Sequence, residues 1–196
     1  MSIEIFNTLT RTTEEFKPNE DKKVNMFVCG PTVYDYAHIG NAKTFTQFDF
    51  IVKYLRYRGY NVFYLQNITD IDDKIINRSK EQGIPWSDLA NKYQTIFLDD
   101  MKSLGNDAVT EYARATDYIP EIVKQVKSLE EKGYAYRTKD GIYFEIGKFA
   151  DYGKLARRLE VKPTDGLSRI DEDSEKRGPN DFCLWKKSKQ GEPSWE

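Results

Sequence analysis

Residues 26–45 read MFVCGPTVYDYAHIGNAKTF and hold the chain's single histidine and one of its two cysteines. Residues 25–29 form a short apolar run stopped by Gly30-Pro31, the pattern of a buried strand that ends in a loop. From Gly40 onward, Phe45, Phe48, Val52 and Leu55 recur at spacings of three and four, and Gly59 closes the segment, which predicts an amphipathic helix. Residues 61–66 form a second buried run. Strand, helix and strand in that order predict a βαβ unit with parallel strands.

In a βαβ unit the loop after the first strand lies at the carboxyl edge of the sheet, where ligands bind. The helix starting near Gly40 turns a positive dipole end toward that edge, which suits phosphate. His38 and Asn41 fall in its first turn as hydrogen-bond donors, and Gly40 lets a flat ligand or a backbone come close. On this spacing alone two readings stand: His38 as a helix cap, and His38 as a phosphate ligand. For Cys29 the alternatives are a small apolar residue packed at a strand end and a functional thiol.

Further along, a helix is expected after NITDIDDK, another over residues 87–104 with Gly105 beyond it, and a third from near Pro120 to Gly133. YAYRTKDGIYFE alternates around Asp140-Gly141 and predicts a hairpin with a primed turn. Residues 160–181 read as a long polar loop, and 182–187 as a last strand on which Cys183 packs. The acidic trio Asp70, Asp72 and Asp73 lacks the spacing of a calcium loop and reads as helix-capping. Arg157-Arg158 and Lys186, Lys187 and Lys189 read as solvated charge rather than as contacts to a phosphate backbone.

The 196 residues are enough for one domain or slightly more, and a net charge of −2 gives no global attraction to nucleic acid. Two widely separated cysteines form neither a disulfide scaffold nor a metal motif, so a cytoplasmic setting is the simplest. No apolar stretch is long enough to span a membrane, and the first residues do not resemble a targeting peptide.

CGPTVYDYAHIGNAKTF followed by YNVFYLQNITDIDDKI resembles the N-terminal half of the cysteinyl-tRNA synthetases, a class I aminoacyl-tRNA synthetase family. IFNTLTR at 5–11, ARAT at 113–116 and KRGPNDFCLWKKSKQGEPSW at 176–195 extend the resemblance over the whole chain. It implies an α/β chain: the first half of a Rossmann-like class I synthetase nucleotide-binding fold (residues 1–110), an α+β connective insertion (111–181) and a return strand toward a second half (182–196).

The resemblance also implies the chemistry: ATP with Mg²⁺ activates L-cysteine, which is passed to tRNA(Cys). The family's His-Ile-Gly-His signature corresponds to His38-Ile39-Gly40-Asn41, with Asn in place of the second His. His38, Gly40 and Asn41 are thereby expected to bind ATP, and His38 and Asn41 to stabilise charge on the α-phosphate during attack. Asn keeps a donor but cannot carry a charge near neutral pH. Gly30 and Thr69 are implied as contacts of the bound cysteine, and Cys29 as the first of four Zn²⁺ ligands. A zinc ion with an open position takes a thiolate and rejects a serine hydroxyl, which gives selectivity without editing.

The resemblance places the other zinc ligands, the lysine-bearing second signature and the anticodon-binding region beyond Glu196, so the 196-residue chain alone is expected to be inactive; KKSK at 186–189 is not that second signature. Two other readings stand beside it: the cysteine ligase of mycothiol biosynthesis, and a non-catalytic nucleotide- or RNA-binding module.

Overall fold

The computed structural model describes residues 2–156 and 175–196. Arg157-Arg158 and most of the expected loop 160–181 lie outside the described residues. The chain divides into two compact units, Lys17–Tyr118 and Met1–Phe16 with Ile119–Glu196.

Lys17–Tyr118 is a parallel sheet with helices. Its strands are β3 (Lys23–Val28), β4 (Asn61–Ile68) and β5 (Glu111–Arg114), in spatial order β3-β4-β5. Helix α1 (Ile39–Tyr57) connects β3 to β4, which pair in parallel from Lys23↔Asn61 to Val28↔Gln66. Helices α2 (Asp73–Gln82) and α3 (Trp86–Ser103) connect β4 to β5. The expected βαβ unit is therefore present, with helix ends close to those the apolar spacing marks.

Strand β5 was not foreseen, and it moves the boundary: the expected cut after residue 110 removes the third strand from its own sheet, whereas the compact unit runs to Tyr118. The first 16 residues, expected with the nucleotide fold, group instead with the later segment.

Alternation along the sheet separates a packed face from an open one. Val28, Val62, Tyr64, Gln66 and Ile68 are buried, and Val33, Ile68, Ile75, Leu89 and Tyr93 pack in one cluster. A neighbouring cluster joins Phe45, Phe97 and Met101. On the opposite face Phe27 is 61% exposed and Phe63 40% exposed.

The other unit holds a hairpin of β1 (Glu4–Asn7) and β2 (Thr12–Glu15), helix α4 (Ile119–Glu131), and an antiparallel sheet of order β6-β7-β8. Its strands are β6 (Ala135–Arg137), β7 (Gly141–Phe144) and β8 (Phe182–Lys186). The β6–β7 hairpin is the one the alternation predicts, but its turn is not primed, because neither Asp140 nor Gly141 has a positive φ. Instead the Thr138 hydroxyl accepts the N–H groups of Asp140 and Gly141. Gly141 is needed for close approach: a Cβ there would stand 2.3 Å from the Trp185 carbonyl oxygen.

Strand β8, expected as a return strand toward a second half of the nucleotide fold, pairs antiparallel with β7 instead. Asp181, just before it, is buried and explains the GPND motif. Its carboxylate accepts from the Tyr136 hydroxyl at 2.8 Å, from Gly178 N at 2.9 Å and from Ile146 N at 3.1 Å. Burial pushes the Tyr136 phenol up to about 12.

Candidate active site

The site begins where β3 ends. The chain turns at Gly30 across the end of β4, and a Cβ at Gly30 would lie 1.7 Å from the Asn67 carbonyl oxygen. No side chain fits there, so Gly30 is required by backbone crossing. Gly30→Ala is expected to destabilise the protein by about 2–3 kcal/mol through forced displacement of this loop, read by urea unfolding. Beyond Gly30 the parallel ladder resumes, with Thr69 N donating to the Pro31 carbonyl at 2.9 Å and Val33 N to the Thr69 carbonyl at 3.1 Å.

Residues 30–38 then line a crevice of about 300 Å³ together with Asn41, Lys74 and Phe97. Its loop is braced from outside. Asp35 pairs with Arg78 at 2.9 Å, and the Tyr36 ring meets Tyr93 edge-on at 5.4 Å. With Asp35 neutralised by Arg78, the remaining charged group in the lining is Lys74, whose ammonium lies over the Tyr34 ring at 5.2 Å.

His38 and Asn41 meet at the start of α1. The Gly40 N–H donates to His38 Nδ1 at 3.0 Å, and the His38 N–H to Asn41 Oδ1 at 3.4 Å. A Cβ on Gly40 would come within 2.8 Å of His38 Cε1. The glycine of this motif thus makes room for the imidazole.

Two consequences follow for the donors. The N–H groups of Gly40, Asn41 and Ala42 are already used, on the His38 ring and on the His38 carbonyl. These three main-chain donors are therefore spent, and the side chains of His38 and Asn41, which line the crevice, carry the donors that remain on them. Because Nδ1 accepts, the ring proton of a neutral His38 sits on Nε2. Because Asn41 Oδ1 accepts, its Nδ2 is the end left to donate. His38 is therefore a helix cap, and its other nitrogen remains a donor.

Cys29 is exposed and precedes Gly30, with Sγ 3.9 Å from the Gly30 carbonyl oxygen. Neither Cys29 nor Thr69 is among the residues lining the crevice. Asn67 links Thr69 to it: its Oδ1 accepts the Gly30 N–H at 2.8 Å and its Nδ2 reaches Thr69 Oγ1 at 3.3 Å. Of the residues singled out in the sequence, Gly30, His38 and Asn41 share the crevice, and Thr69 joins through Asn67. Among the described residues no three His, Cys, Asp or Glu side chains gather as metal ligands. One thiol does not complete a tetrahedral zinc site, so these residues do not by themselves fit the metal.

The acidic trio divides by role. Asp72 caps α2, accepting from Lys74 N at 2.8 Å, as expected. Asp70 does not cap a helix. It is 0% exposed, and its carboxylate holds Arg114 Nε at 2.9 Å and Thr116 N at 3.0 Å. Arg114 also donates to Asn91 Oδ1 on α3 at 3.1 Å. The ARAT motif is therefore a clasp that ties the end of β5 to the end of β4.

Sequence reasoning missed Lys74 and Asn67. The first sits inside NITDIDDK as an ordinary helix residue, and the second is a polar residue closing a strand; only the fold shows what each one reaches.

A three-stranded parallel sheet flanked by helices, with a crevice at its carboxyl edge, is a Rossmann-like arrangement. The Mycobacterium tuberculosis methionyl-tRNA synthetase, solved in complex with methionyl-adenylate, superposes with a TM-score of 0.55 at 18% identity over 58% of this chain and 23% of that one. Residues 15–196 match the family model described as tRNA synthetases class I (C) catalytic domain, and the chain belongs to that family. It is 55% identical over 191 residues to the cysteine--tRNA ligase of Thermoplasma volcanium, covering 97% of this chain and 42% of the relative. It is 50% identical over 196 residues to that of Thermococcus gammatolerans, covering 100% of this chain and 41% of the relative. The chain thus spans less than half the length of the curated relatives it matches. No helix among the described residues is long and apolar enough to cross a membrane.

Proposed function

We propose that the protein bearing this chain activates L-cysteine with ATP and Mg²⁺ and transfers it to tRNA(Cys) in the cytoplasm. In this reading residues 17–118 supply the nucleotide-binding part of the catalytic fold, and the second compact unit the connective part. The observation that carries the proposal is the crevice in which His38 Nε2 and Asn41 Nδ2 remain available as donors at the head of α1.

In the reaction, a carboxylate oxygen of cysteine attacks the α-phosphorus of ATP and pyrophosphate leaves. Negative charge builds on the α-phosphate oxygens in the transition state. His38 and Asn41 are held by the helix start before substrate arrives, so they donate to those oxygens without reorganising. Lys74 adds a positive charge to the same crevice, and Gly30 and Thr69 contact the amino acid beside it. Cys29 stands exposed at the strand end as the residue the family resemblance implies for zinc.

The test is cysteine-dependent ATP–pyrophosphate exchange by the complete gene product, followed by charging of a tRNA(Cys) transcript. Exchange with cysteine and not with serine, together with charging, is the expected result. Exchange without charging contradicts the transfer step, and no exchange contradicts the proposal as a whole.

A further inference from the structure

Asn67 makes two hydrogen bonds whose directions are forced. The Gly30 main-chain N–H can only donate, so the atom of Asn67 that it meets at 2.8 Å is the carbonyl oxygen. The amide nitrogen is then the atom 3.3 Å from Thr69 Oγ1, and that nitrogen also can only donate. Thr69 Oγ1 must therefore accept from Asn67. A hydroxyl that accepts here keeps its own proton for another partner, and the bond to Asn67 is the one hydrogen bond its side chain makes among the described residues. The chain of forced directions runs from Gly30 through Asn67 to a Thr69 O–H whose proton is left to donate.

We propose that Asn67 is a positioning residue that sets Thr69 as a hydrogen-bond donor toward an anionic acceptor of the amino-acid substrate, a carboxylate oxygen or thiolate sulfur. The inference rests on the reading that cysteine binds at this strand end. Asn67 does not touch the substrate. It holds the Gly30 loop and polarises the hydroxyl that does, so the contact is set before binding.

The discriminating variant is Asn67→Asp. A carboxylate still accepts the Gly30 N–H, so the loop stays, but its second oxygen can only accept. Thr69 then donates inward and the substrate loses its donor. In pyrophosphate exchange by the complete enzyme, N67D is expected to raise the KM for cysteine roughly tenfold, as for one lost hydrogen bond to a charged group, with the KM for ATP moving less than twofold. Thr69→Val is expected to do the same, and adding N67D to T69V to add nothing.

A purely structural Asn67 predicts the opposite: both KM values and kcat move, and the two substitutions multiply. Either multiplication or an N67D KM for cysteine within twofold of the parent overturns the proposal. Should N67D not accumulate as folded protein, Asn67→Ala in the parent and in the T69V background decides. A rise in KM for cysteine that is absent in the T69V background supports the proposal, and effects that multiply overturn it. A parent enzyme with no cysteine-dependent exchange overturns the functional reading itself, a result visible before any variant is made.

Discussion

Replacing His38 with asparagine is expected to lower the rate of pyrophosphate exchange by roughly 10²–10³-fold while leaving the protein's stability within about 1 kcal/mol of the parent. The two halves of that expectation come from the two ring nitrogens. Nδ1 accepts the Gly40 N–H and closes the first turn of α1. Asparagine is among the best residues at such a position and replaces that bond. Nε2 is the donor left for the crevice, and asparagine is too short to place one at the same point. His38→Ala removes both functions, so it is expected to lose the same catalytic factor and a further 1 kcal/mol or so of stability. Exchange kinetics beside urea unfolding of the two variants separate cap from catalyst. An asparagine variant that keeps full exchange activity would place catalysis elsewhere.

The second large effect concerns no ligand. Asp70→Ala is expected to destabilise the protein by about 3–4 kcal/mol, measured by urea unfolding. The carboxylate is fully buried and has Arg114 and Thr116 as partners, so its removal strands a guanidinium and a main-chain N–H together. About a third of the Arg114 side chain reaches solvent, which keeps the loss toward the lower end of the usual range. Asp70→Asn is a sharper probe. Its oxygen can satisfy Thr116 or Arg114, but its amide then points a donor at a donor, and most of the loss is expected to remain. If instead Asp70 were a helix cap, asparagine would substitute almost without cost.

These cases show which parts of the molecule are legible before coordinates and which are not. The β3–α1–β4 unit is legible because Phe45, Val52 and Leu55 repeat at helical spacing between two apolar runs, and the helix buries all three. Strand β5 is not, because Glu111-Tyr112-Ala113-Arg114 has no alternation of its own and becomes a strand only by pairing with β4. The turn at Asp140-Gly141 misleads for a related reason: the glycine answers to the approaching Trp185 backbone, which is distant in sequence.

The acidic trio misleads because three aspartates before a helix look alike in sequence, although Asp72 caps and Asp70 is drawn into the interior by Arg114. The place of His38 and Asn41 at the first turn of α1 could be marked in advance. The role of Asn67 could not, since it depends on which main-chain N–H lies across from it.

The capping role of His38 has one more consequence. A group that must complete a turn of helix before it can serve a ligand couples the readiness of the pocket to the integrity of that turn. Fraying of α1 at its start breaks the bond between the imidazole and the Gly40 amide, so the donor proposed for the crevice is held only while that turn is intact.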